Sequence, residues 1–280
     1  MSIIDRLLNI DSRIIYLLLF LALAFPILYP VVLPMEVQQY SLTAFEFVDD
    51  IPDGSYVLFD GGNTAATYPQ GGPGMIVNIV HLLRKNCKVV IFSTSVECVP
   101  FNQQAIDDAL EKLSSDVSAE NGVNWVNLGY IGGGGESAVA AFVNDIRSVL
   151  EADYFGTPIN DLPIMEGVND ASDFAAVMWW GGSQGSIPWG IRQIVEPFGV
   201  PMTGQCTTNE VPNYSPYISS GQLQGLIGGV RGSAEYEYLL NLPGPALGQA
   251  MATNFGGLLW MIAVVLGNAF YLIKRARGEE

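Results

Sequence analysis

Two long stretches without a charged residue bracket this chain, and they decide which solvents it must satisfy. Residues 14–35 (IIYLLLFLALAFPILYPVVLPM) and 254–273, which contain FGGLLWMIAVVLGNAFYLI, are each long enough to cross a hydrocarbon core as a helix. The expected division is a tail over 1–13, a span over 14–35, a folded domain over 36–253, a span over 254–273 and a tail over 274–280. Ala22-Leu23-Ala24 resembles a signal-peptide cleavage site, but the apolar run continues to Leu33, which favours a retained anchor.

Arg6, Arg13, Lys274, Arg275 and Arg277 place five of the twelve basic residues in the two tails. An excess of Lys and Arg marks the cytoplasmic side, so a two-pass cell-membrane protein is expected, with both termini cytoplasmic and the domain extracytoplasmic. The span region holds Gly248, Ala252 and Gly256, then Ala263 and Gly267, a small-residue row that lets a helix approach the first span, a copy of itself or another subunit. Asn268 offers an interhelical hydrogen bond, and Pro26, Pro30 and Pro34 bend the exit of the first span. Neither span carries an ionisable residue, which removes support for an ion pathway.

Between the spans, 24 Asp and Glu face seven Lys and Arg. That balance excludes nucleic acid as a partner, because phosphate binding needs a basic footprint. The expected partners are the lipid bilayer and either copies of the chain or other membrane subunits.

Six short runs, 55–60, 87–93, 123–129, 174–180, 199–205 and 223–229, are apolar, rich in β-branched or aromatic residues and bounded by Gly, Asn or Pro, as buried strands are. Helical stretches at 74–85, 103–114, 136–150, 186–197, 214–220 and 232–240 alternate with them. Such alternation implies an α/β fold: a doubly wound, mostly parallel six-stranded Rossmann-like sheet, flanked by one N-terminal and one C-terminal transmembrane helix. Ligands in such sheets meet the carboxyl ends of the strands where strand order reverses.

The loops at those ends carry the candidate site residues. Gly181, Ser183 and Gly185 spell G-x-S-x-G after a strand and before a helix, the setting of a nucleophilic serine. The one histidine, His81, precedes the serine, and with Asn78, Arg84 and Lys85 it forms a polar stripe expected to face solvent, so Ser183 is a weak catalytic candidate. Gly132 to Gly135 before Glu136 could cradle a phosphate, yet they complete neither known glycine-rich nucleotide motif, and Glu136 opposes an anion. Asp60, Glu97, Glu136 and Glu210 follow four strands with no metal-ligand spacing, so no metal and no cofactor is expected. Arg231 is expected to pair with one of those acids. The ligand-binding candidates are Asp60, Gly61, Gly62, Gly133, Gly134, Gly135, Glu136, Gly182, Ser183 and Arg231. Cys98 and Cys206, both after strand ends, form the candidate disulfide, and Cys87 is the third cysteine.

The segments YIGGGGES, DYFGTPINDLPIMEGV, SGQLQGLIGG and AEYE resemble an uncharacterised prokaryotic family of membrane-anchored Rossmann-like α/β proteins. The resemblance implies that fold and no activity, and it supplies no site residues. The missing base favours a non-enzymatic binding or scaffold subunit of a membrane assembly over a ligand sensor or enzyme that uses the glycine-rich loops. An open polar cleft between the first and fourth strands would favour the second reading; the same loops covered by another chain would favour the first.

Overall fold

A computed structural model describes residues 11–30, 33–182 and 186–276. The chain divides into two compact units, Met1–Leu33 with Pro243–Glu280, and Pro34–Leu242.

The larger unit begins with α2 (Gln39–Asp49), the first helix after α1 of the smaller unit (Ser12–Leu28). There follow β1 (Tyr56–Asp60), α3 (Tyr68–Arg84), β2 (Lys88–Ser93), α4 (Val99–Leu110), β3 (Trp125–Tyr130), α5 (Gly135–Asn144) and α6 (Ile146–Val149). The second half holds β4 (Ala176–Gly181), α7 (Ser186–Gly190), β5 (Met202–Cys206), α8 (Val211–Ser219), β6 (Leu226–Gly228) and α9 (Gly229–Leu239). Helix α7 runs on through a π turn, Ile191–Val195, and a last turn, Glu196–Phe198. All six expected strands are present within a few residues of their predicted bounds.

The sheet is parallel throughout, in the order β3-β2-β1-β4-β5-β6. The chain works outward from β1 to the β3 edge, then returns to lay β4 against the free side of β1, pairing Val57 with Ala176. Order therefore reverses between β1 and β4. Successive side chains of a strand point to opposite faces: Leu58 joins one core with Phe92, Phe142 and Trp179, while Val57 and Phe59 join the other with Ile79, Leu83 and Ile106. Both faces are covered, which is why the strands read as continuous apolar runs rather than as alternating ones.

Two expectations are corrected here. His81 does not face solvent: it is 4% exposed, its Nδ1 lies 2.8 Å from the Tyr236 hydroxyl of α9, its Nε2 lies 3.3 Å from Asp49 Oδ1 of α2, and its ring stacks on Phe45. Burial lowers its pKa against the opposing pull of Asp49. Cys98 and Cys206 are both free and buried, as is Cys87. Cys98 follows β2 and Cys206 ends β5, with β1 and β4 between, so strand spacing alone separates them by about 14 Å, beyond disulfide reach.

In the smaller unit α1 packs against α10 (Pro245–Ala276, 32 residues). The row Gly248, Ala252, Gly256 faces α1: a Cβ on Gly248 would lie 2.9 Å from the Pro26 carbonyl oxygen, and one on Gly256 would lie 2.9 Å from Leu23. Asn268 bonds the Val264 carbonyl of its own helix rather than a neighbouring helix. Among the described residues α10 is the one helix long and apolar enough to cross a membrane; α1, with 17 residues and Pro26 inside, ends at Leu28, so a second span over 14–35 is not established.

Candidate functional site

At the reversal point between β1 and β4 lies a cavity of about 370 Å³. Four segments wall it: the end of β1 and the loop after it (Asp60, Gly62, Thr64), the loop after β2 (Thr94, Ser95, Glu97), the start of α5 (Gly135) and the end of β4 with α7 (Trp180, Gly182, Trp189). Its size falls in the range of about 300–1,000 Å³ typical of small-molecule pockets.

The sequence DGGNT after β1 has a steric reason. A Cβ on Gly61 would overlap the side-chain amide of Asn102, which comes up from α4 and is itself fully buried. A Cβ on Gly62 would meet the Trp180 ring at 2.5 Å, and Cβ atoms on Gly71 and Gly182 would collide with the same indole. Three glycines from separate segments thus clear a seat for Trp180 at the rim. Thr64 and Thr67 then fix the loop, Thr64 N donating to Thr67 Oγ1 at 2.9 Å just before α3 begins.

Asp60, the last residue of β1, is 2% exposed. The Trp180 backbone N–H donates to its carboxyl group, while Oδ1 has no hydrogen-bond partner among the described residues. Burial pushes its pKa up from 3.8 to about 8, against the smaller opposite effect of the Trp180 bond. The Asn102 amide, Asn63 Oδ1 and Trp180 Nε1 are likewise buried and without partners there. Buried polar groups are ordinarily bonded, and half of the unpartnered buried side-chain atoms among the described residues belong to these four residues around the reversal point.

The other sequence candidates divide. Glu97 lines the cavity and is exposed. Glu136 turns away into a clamp: Arg192 donates to both its oxygens and Gln193 adds a third bond, which together hold its pKa down to about 2. Glu210 bonds the amides of Asn209 and Asn213 in its own segment. The four carboxylates therefore do not converge, and no group of three or more His, Cys, Asp or Glu able to hold a metal occurs among the described residues.

Gly133, Gly134 and Gly135 all have positive φ, at 98°, 64° and 65°, so this run serves a left-handed turn into α5, and of the three only Gly135 lines the cavity. Arg231 pairs at 2.9 Å with Glu235 one turn along α9, not with a rim acid as expected. Gly182 lines the cavity, whereas Ser183 lies outside the described residues. His81 is committed to Tyr236 and Asp49.

Reasoning from sequence missed Asn102, Trp180, Trp189 and Arg192. Trp180 had a signal: in WWGG the neighbouring Trp179 points into the core, so Trp180 falls on the opposite face, one residue from the strand end. Asn102 had none, because its role depends on α4 crossing beside the β1 loop.

Searches against protein-family models, curated proteins and solved structures find no match to this chain. The chemistry of the cleft rests on its own atoms.

Proposed function

We propose that this chain is a membrane-anchored ligand-binding protein whose site is the cleft between β1 and β4. The observation that carries the reading is Asp60: a buried carboxyl with one unpartnered oxygen, at the wall of a cavity placed where strand order reverses. An open polar cleft favours a ligand over a purely scaffolding role. Binding is favoured over turnover because no histidine or lysine that could serve as a base lines the cavity among the described residues.

Outward apolar side chains on α10 (Trp260, Met261, Val265) and on α1 (Phe20, Phe25) suit contact with lipid or with neighbouring membrane subunits. The basic tails support a topology with both termini cytoplasmic and the α/β unit outside, where it would sample extracytoplasmic solutes.

The test is native mass spectrometry of the protein gently extracted from its own membrane, with all co-purifying material identified. The expected result is a stoichiometric small molecule on the parent protein and none on Gly62→Val, in which the added side chain drives into Trp180. A stoichiometric assembly with other chains and no small molecule would overturn the reading in favour of a scaffold.

A further inference from the structure

The cleft also carries information about charge. Its acidic side chains, Asp60 and Glu97, face no Lys, Arg or His: none lines the cavity among the described residues. Carboxyl groups as buried as Asp60 are ordinarily matched by a cation or by several donors. Asp60 receives one backbone N–H, and its Oδ1 receives nothing from the described residues.

The remaining walls fit a cation that also carries hydroxyl groups. Trp180 and Trp189 contribute indole rings, whose faces attract positive charge. Thr64 and Thr94 contribute hydroxyls that donate to and accept from a polyol. With 24 acids against seven bases between the apolar stretches, the field around the cleft draws cations and repels anions.

We propose that the cleft binds a small hydroxylated organic amine in its protonated form, the ammonium group held by the Asp60 carboxyl beside the indoles of Trp180 and Trp189. This assignment rests on the reading of the cleft as a ligand site. A cation beside Asp60 favours the ionised carboxylate, so binding releases a proton wherever the free carboxyl is still protonated.

Glucamine, sorbitol and gluconate present one polyol chain with a cationic, a neutral and an anionic end. Calorimetric titration of each into the full chain in detergent micelles tests the charge directly. Glucamine is expected to bind at least about tenfold tighter than sorbitol, and gluconate not measurably. Its dissociation constant should fall by about tenfold per pH unit between about pH 6 and 8 as Asp60 gives up its proton more readily. In Asp60→Asn, glucamine should weaken to the level of sorbitol and lose that pH dependence.

Sorbitol or gluconate binding as well as glucamine, with Gly62→Val abolishing it, would reject the amine and keep the ligand site. The amine is likewise rejected, and the ligand site kept, if the parent protein carries a co-purified molecule without an amino group that Gly62→Val lacks. If neither a probe nor a co-purified molecule is found, both readings fall.

Discussion

Arg192 grips Glu136 through a planar fork, Nε donating to Oε1 at 2.8 Å and a terminal nitrogen to Oε2 at 2.7 Å. The pair joins two walls of the cleft, since Gly135 and Trp189 line the cavity and their near neighbours form the clamp. Lysine cannot reproduce a two-pronged bond. Arg192→Lys should therefore leave the thermal midpoint nearly unchanged while amide exchange over 132–140 quickens; unchanged exchange there would show that the fork does not hold the wall.

The pH dependence of stability should bend at both ends. Asp60 has a folded pKa raised to about 8, so the fold is favoured most below its unfolded value of 3.8 and loses that advantage as pH rises through about 8. The cost at pH 7 is up to about 4 kcal/mol. Asp60→Asn should raise the denaturant midpoint at pH 7 and flatten the profile between about pH 4 and 8, as urea titrations at several pH values will show.

His81 acts with the opposite sign. Its folded pKa is lowered by burial, so its contribution is complete above the ordinary value of 6.5 and is lost as pH falls through the lower folded value. His81→Gln should remove this acid-side loss while leaving the Asp60 slope in place, a separation the same titrations can read.

Gly62→Ala should cost about 1–3 kcal/mol, because its Cβ would press on the Trp180 ring at 2.5 Å and the indole must shift. A changed tryptophan emission spectrum together with a lower thermal midpoint would confirm the seat. A stable variant with unaltered emission would contradict it.

All three thiols are free, buried and shifted upward by desolvation, Cys206 to about 12. A thiol-specific chromogenic reagent should therefore react with none of them in the native protein and with all three in denaturant. Two unreactive thiols in denaturant without reductant would instead reveal a bridge.

The strands were legible because burial on both faces leaves continuously apolar runs such as YVLF in β1 and VVIF in β2, and the reversal-point loops were legible as glycine clusters after strands. His81 was not, because the stripe it shares with Asn78 is covered by α9, which follows about 150 residues later and buries Glu235, Tyr236 and Glu237 there without a recognisable apolar face. The cysteine pairing failed for a related reason: two residues at similar strand ends are neighbours only if their strands are, and strand order is a property of the whole sheet. Strand-end placement alone directs Arg231 toward distant rim acids, whereas its partner stands one helical turn away.

The seat of Trp180 has a consequence for redesign. The β1 loop, the first turn of α3 and the end of β4 each leave out a side chain for the same indole, so the space it fills adjoins the cavity and is already bounded by backbone. Trimming that one ring to phenylalanine would open the space it fills toward the cavity, making residue 180 the position that sets how far the cavity extends.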